Sequence, residues 1–318
     1  MSRPPYVVVV GGANMDLKAR STEPLVAGTS NPGTMRMSPG GVGRNVAENL
    51  ARLGTPVHLV AAVGADPIGD ALLGETAAAG VVIDSVRRLP VPTGTYTAVL
   101  DSSGEMALAV ADMAATDALA PEDVDACRGL LEGAGLLVLD ANLAPTTLAT
   151  ALRLADAAAV PVVADPVSVP KAARLAHLLG GHAPHTLTPN AGELAALAGA
   201  AADGAAPALA AARSLLARGV RHVWVRLGPS GSMLVDASAE PVHLPVHPGP
   251  VVDVTGAGDA MLAAYCHRLL AGATPAEAAA FGQAAAALTV AVPDTVRRDL
   301  TPALVEQTLA GTRPERTP

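Results

Sequence analysis

The chain has 318 residues, half of them hydrophobic, with a formal net charge of −8 at pH 7 and aromatic residues at only 2%. An acidic chain offers no electrostatic footprint for polyanions, and so few rings leave no stacking platform for single-stranded nucleic acid. No run approaches the roughly 20 uninterrupted apolar residues of a membrane span. A small anionic ligand stays open, because backbone amides bind phosphate without surface lysines.

The opening "MSRPPYVVVVGG" has an apolar run too short for a signal-peptide core, and it stops at two glycines. Short apolar runs at 6–10, 57–63, 135–140, 160–165 and 222–227 read as strands. Several lack alternation, as parallel strands covered on both faces do. Between them lie helical segments such as 145–157 and 205–218, the latter ending at Gly219. The rhythm predicts an α/β fold: a doubly wound, mostly parallel sheet with helices on both faces. One region breaks it. Residues 95–111 read as a hairpin around the turn "DSSG", and segments near 15–20 and 34–38 also read as extended. Together they predict a small antiparallel sheet acting as a lid, whose exposed strand edges invite a second copy and a homodimer. The segment "AAAALTVAVP" reads as a buried helix running into extended chain. Residues 1–310 are expected to form a single unit, with 311–318 as a tail. Cys127 and Cys266 lack partners at zinc-ligand spacing and read as free thiols of a reducing cytoplasm.

Two glycine-rich turns stand out. In "VVDVTGAGDAMLAAYCHRLLAG" (251–272), Leu262, Tyr265, Leu269 and Leu270 follow a helical period, so a helix starts near Ala257 to Asp259 and stops at Gly272. Gly256, Ala257 and Gly258 then place bare amides at a helix N-terminus, where the dipole favours an anion. Asp259 alone is explained by a helix cap. Amides and a carboxylate together suit phosphoryl transfer, in which fixed donors stabilise the equatorial oxygens and a carboxylate orients the attacking hydroxyl. A free Asp, at a pKa of about 3.9, is a poor base, but a loose transition state lets the proton leave late. In "SNPGTMRMSPGGVGRN" (30–45), Gly40 and Gly41 precede a second helix that stops at Gly54.

"VVDVTGAGDA" resembles the C-terminal signature of the PfkB-type, or ribokinase-like, carbohydrate kinases. "SPGGVGRNVAENLARLG" resembles their N-terminal signature and "GGANMD" their sugar-binding opening, in order from residue 6 to about 292. The resemblance implies MgATP as phosphoryl donor and Asp259 as base, with 256–258 as anion hole. It implies that Asn14 and Asp16 hold sugar hydroxyls and that Gly40, Gly41 and Asn45 clamp the substrate, the ribose pressing on bare backbone. "TPNAGE" resembles the family's Asn-x-x-Glu motif, which gives Asn190 and Glu193 roles near phosphate and magnesium; a first-turn helix carboxylate explains Glu193 equally well. "RLGPSGS" resembles the nucleotide-binding stretch, with Gly228 and Gly231 letting the backbone approach ATP. Arg226 departs from the usual Thr or Ser there, and either contacts phosphate or points elsewhere. Asp253 resembles a position that helps hold a monovalent cation, potassium, in some members.

Further details are closer to the family's pseudouridine-phosphorylating members: "SNPG" (30–33), "ADM" (111–113), "DAN" (140–142) and "DPVSVPK" (165–171). That likeness implies transfer to the 5′-hydroxyl of a ribonucleoside, pseudouridine. Ser30, Asn31 and Asp112 are then readers of the base, Asn142 a further substrate contact, and Lys171 either an ATP-phosphate contact or a solvated lysine. Asp112 can equally cap the loop that follows it. The alternatives are another sugar or nucleoside kinase, of ribokinase or adenosine kinase type, and a non-catalytic sensor. The Rossmann option fails on spacing, because "VVVVGGANMD" lacks G-x-G-x-x-G.

Overall fold

The computed structural model describes residues 4–311, so the tail beyond Gly311 lies outside the described residues. Fourteen strands occur among them. In chain order these are β1 (Val7–Val10), β2 (Asn14–Ser21), β3 (Gly33–Gly40), β4 (Val57–Val60), β5 (Ala62–Gly64), β6 (Arg87–Leu89) and β7 (Thr95–Leu100). There follow β8 (Met106–Asp112), β9 (Leu136–Asp140), β10 (Val162–Asp165), β11 (Thr186–Leu187), β12 (His222–Arg226), β13 (Ser232–Asp236) and β14 (Val242–Leu244).

The main sheet has the order β14-β13-β12-β11-β10-β9-β1-β4. From β12 to β4 every pairing is parallel, and β13 and β14 add an antiparallel edge. The four valines of β1 are fully buried because the strand lies between β4 and β9 and is covered on both faces. Val8 and Val10 join the core on one face with Leu137 and Leu139; Val7 and Val9 join the other with Val138. The first core is closed by helices Pro145–Ala158, Ala191–Ala198 and Ala205–Leu216, the second by Val42–Arg52 and Ala257–Leu270. Among the described residues, no helix is long and apolar enough to cross a membrane.

The run 57–63 is not one strand. It breaks at Ala61, and 62–64 leaves the main sheet to pair with β6. The rhythm also missed β11, whose two residues are too few to show a period.

The lid sheet has the order β3-β2-β7-β8 and uses the expected segments. Its expected antiparallel pairing needs correction at the centre, where β2 and β7 run parallel. The chain leaves the lid after β3, passes through the helices Val42–Arg52 and Pro67–Ala78, and re-enters beside β2 at β7 running opposite to β3, and therefore parallel to β2. Two ion pairs tie the lid to the body, Lys18 with Asp253 and Arg36 with Asp294. On the other face, in register across the strands, Met35, Met37, Leu108 and Val110 are all more than half exposed.

Candidate active site

The parallel strands β1, β9, β10 and β12 end on one edge of the sheet, the usual ligand edge of a doubly wound fold. A cavity of about 940 Å³ opens there, lined at the strand ends by Gly12, Asn142, Asp165 and Arg226 and at two helix starts by Gly41 and Gly256. The lid contributes Asn14, Asp16 and Tyr96.

At the lid end, Asn14 Nδ2 donates to Asp16 Oδ1 at 2.7 Å, and burial holds the Asp16 carboxyl above its ordinary range. Behind them lies Asp140, fully buried at the end of β9. Its Oδ2 accepts the N–H groups of Gly12 (2.8 Å) and Gly43 (2.7 Å), and its Oδ1 that of Asn142 (2.9 Å). One carboxylate thus pulls the turn after β1 against the start of the 42–52 helix. This explains the glycines at 40–41. Gly41 sits at φ 93°, and a Cβ there would lie 2.5 Å from the Gly12 carbonyl oxygen. At Gly40 it would lie 2.5 Å from the Asp16 carboxylate. The chain's own packing is enough to demand bare backbone here, and Gly41 also lines the cavity.

The 257–270 helix starts from Gly256, at φ 80°, where a Cβ would meet the Thr295 carbonyl oxygen at 1.9 Å. Its first-turn N–H groups, lacking intrahelical acceptors, border the cavity with Asp259, though the Ala257 N–H leans on the Val254 carbonyl at 3.3 Å. Asn45, one turn into the 42–52 helix, donates Nδ2 to Asp259 Oδ2 at 2.7 Å. Burial pushes the Asp259 carboxyl up to about 7; the Asn45 bond and the nearby Arg226 restrain the rise, while Asp165 and Asp140 add to it. A carboxylate poised there is a far better proton acceptor at neutral pH than a free Asp.

Arg226 ends β12 with its guanidinium between Asp165 (Nη1 to Oδ2, 3.2 Å) and Glu193 (Nη2 to Oε2, 3.0 Å). It also reaches the start of the 257–270 helix: a Cβ on Gly258 would sit 2.3 Å from Arg226 Nη1. The residue that departs from the expected pattern therefore stands beside the helix start rather than away from it. Glu193 and Asn190 form a reciprocal capping box on the Ala191–Ala198 helix, with Asn190 N–H to Glu193 Oε2 and Glu193 N–H to Asn190 Oδ1 both at 2.9 Å. Asn190, Gly228 and Gly231 line the same end of the cavity.

Several expected residues are engaged elsewhere. Asn31 is locked within its own loop: Oδ1 accepts from Val26 N–H, and Nδ2 donates to the Val26 and Thr29 carbonyls. Ser30 is exposed, Asn31 half-buried, and both lie outside the cavity wall. Asp112 is also exposed and accepts the Ala114 N–H at 3.1 Å, so it caps the loop, and its neighbour Met113 lines the cavity instead. Lys171, read as an ATP contact, donates to Asn142 Oδ1. Asp253, read as a cation ligand, gives Oδ2 to Lys18 and Oδ1 to the Thr255 N–H and hydroxyl. The cation beside Asp253 is thus a lysine of the lid, and these residues do not fit a potassium site.

Magnesium needs few protein ligands when nucleotide phosphates and water supply the rest. Among the described residues no cluster of three or more His, Cys, Asp or Glu is grouped to hold a metal. Glu193 lines the cavity but gives Oε2 to Arg226 and the Asn190 N–H, so it would hold such an ion through water.

Sequence reasoning missed Thr116, a buried hydroxyl in the cavity wall with no hydrogen-bond partner, and Val167, also in the wall, at φ 66°. A β-branched residue at positive φ is strained by about 1–3 kcal/mol; the Val167 N–H is held by Asp165 Oδ1 at 2.7 Å. Neither position carries a signal in one sequence.

Residues 4–301 match the family model described as pfkB family carbohydrate kinase. The chain is 36% identical to the pseudouridine kinase of Escherichia coli K12 over 93% of both proteins. It is 28% identical to the guanosine-inosine kinase of Exiguobacterium acetylicum, over 90% of this chain and 94% of that one. Among solved structures, the ribokinase of Arabidopsis thaliana complexed with ribose and ATP superposes with a TM-score of 0.84 at 27% identity, covering 96% of this chain and 99% of that one. With the glycine turns and their carboxylate in place on a ribokinase-like fold, the match over nearly the whole length shows that the chain belongs to the pfkB family of carbohydrate kinases.

Proposed function

We propose that this kinase transfers the γ-phosphoryl group of MgATP to the 5′-hydroxyl of a ribonucleoside, pseudouridine, forming pseudouridine 5′-phosphate. The observation that carries the transfer reading is Asp259, set in the first turn of the 257–270 helix and hydrogen-bonded to Asn45. The acceptor lies at the lid end, its ribose hydroxyls held by Asn14 and Asp16. Asp259 accepts the proton of the attacking hydroxyl. As charge spreads over the transferring group, the N–H groups at 256–258 and the Arg226 guanidinium stabilise it. Bound magnesium supplies further charge neutralisation on the phosphates, with Glu193 holding its hydration shell.

For the base, Thr116 and Asn142 replace the readers expected from sequence. Asn142 Oδ1 is taken by Lys171 and its side chain also bonds Asp140, whereas the Thr116 hydroxyl has no partner and can donate or accept. A C-nucleoside presents an extra ring N–H that uridine lacks, and an acceptor for it discriminates because an unpaired buried polar group is costly. The similarity to a pseudouridine kinase supports that acceptor; the similarity to a guanosine-inosine kinase supports a second reading, a purine nucleoside. The exposed apolar face of the lid supports pairing with a second copy.

ADP release measured with pseudouridine, uridine, guanosine, adenosine, ribose and fructose tests the substrate. Pseudouridine is expected to give the highest kcat/KM, and turnover of ribose or guanosine with none of pseudouridine would overturn the assignment.

A further inference from the structure

Arg44 takes no part in the steps above, yet it is 1% exposed and lies one residue before Asn45. Burying a guanidinium is costly unless its donors are satisfied. Four contacts satisfy this one: Nε donates to the Gly40 carbonyl at 3.0 Å, Nη2 to the Pro39 carbonyl at 3.0 Å and to Asn45 Oδ1, and Nη1 to Glu48. Glu48, itself 8% exposed, is held from its other oxygen by Arg52. Only one of these partners is a charge. The others are two carbonyls of the turn that packs on Asp16 and the amide oxygen of Asn45.

That last contact bears on the base. An amide whose oxygen is bound to a cation has only its nitrogen left to offer, and Asn45 Nδ2 is the group that donates to Asp259. A planar fork that grips an amide and two carbonyls together fixes rotation as well as position. The line Glu48–Arg44–Asn45–Asp259 is thus continuous, each member bonded to the next.

We propose that Arg44 is a positioning residue for phosphoryl transfer: gripping Asn45 through its amide oxygen, and the turn through the Pro39 and Gly40 carbonyls, it holds the Asp259 carboxylate toward the acceptor hydroxyl. The proposal rests on the reading of Asp259 as base.

The test is a double-mutant cycle at saturating ATP, with Arg44→Met and Asn45→Ala made singly and together, and thermal unfolding measured on each protein. In the wild-type background Arg44→Met is expected to lower kcat by about 10- to 100-fold while the acceptor KM moves by less than about threefold. In the Asn45→Ala background the same change is expected to cost no more than about threefold, because the route to Asp259 is already cut. An equal loss in both backgrounds overturns the proposal, as does a wild-type kcat in a folded Arg44→Met protein.

If Arg44→Met does not fold, Arg44→Lys takes its place in the cycle. It keeps a cation beside Glu48 but cannot span Asn45 and the carbonyls, so the same coupling is expected. Asp259→Asn separates the two readings. Near-normal turnover there removes the base assignment itself, whereas a collapse there with an additive cycle removes only the role of Arg44.

Discussion

The turn at Gly40–Gly41 and the turn at Gly256–Gly258 each lead into a helix through a glycine at positive φ, 93° at Gly41 and 80° at Gly256. Both border the cavity, and in both a Cβ would strike a backbone carbonyl. They differ in what their free N–H groups meet. At the first turn, Asp140 takes the Gly12 and Gly43 N–H groups, and Gly12 faces Gly41, so the chain closes on itself around a buried carboxylate. At the second, the N–H groups of the helix start lie beside Asp259 and Arg226. A glycine-rich turn before a helix therefore reports that backbones crowd, and the neighbouring charges decide whether the crowding serves the fold or the chemistry.

The contrast breaks first at Asp259. Asp259→Asn keeps a side chain of the same shape for Asn45 to contact but cannot take a proton, and kcat is expected to fall by about 10²- to 10⁴-fold with modest change in nucleoside affinity. Stopped or coupled assays on the purified variant check this, and near-normal turnover removes the base. The same carboxyl sets the pH profile. Its pKa, raised to about 7, leaves it protonated and unable to accept a proton below that pH. Plotted against pH, log kcat/KM should climb with unit slope, about tenfold per pH unit, and level off above roughly 7. A flat profile from pH 5.5 to 8 contradicts the assignment.

At the first turn the expected effect is on stability. Gly41→Ala forces a side chain onto the Gly12 carbonyl at positive φ, and should cost about 1–3 kcal/mol, read as a lower midpoint in urea. A stable, inactive Gly41→Ala protein would instead mean that the glycine serves the ligand. The smallest effect belongs to Asn31. Asn31→Ala removes bonds inside an exposed loop, and the ratio of kcat/KM for pseudouridine over uridine should move by less than about twofold. A large loss of preference would return Asn31 to the base-reading set.

The alternation of apolar strands with helices, both glycine turns and the start of the 257–270 helix were legible because they depend on local period and backbone freedom. The lid was legible as extended segments with a hairpin at 95–111, yet the parallel β2–β7 pair was not. That pairing follows from the path of the chain between the two strands, which no local pattern encodes. The engagement of the expected base readers with their own backbone was hidden for a related reason. Asn31 lies in a loop and Asp112 at the end of a strand, and a polar side chain in such a place can satisfy nearby backbone as readily as a ligand.

By itself the sequence determined the class of fold, the two turns and the carboxylate placed beside one of them, since each is written in residues close along the chain. Tertiary structure alone decided what those residues face. It set Arg226 between Asp165 and Glu193, gave Asp253 to Lys18, and bound Arg44 to the amide that holds Asp259. Ion pairing, burial and the pKa shift that burial brings depend on distances between segments far apart in the chain, and those distances exist only once it has folded.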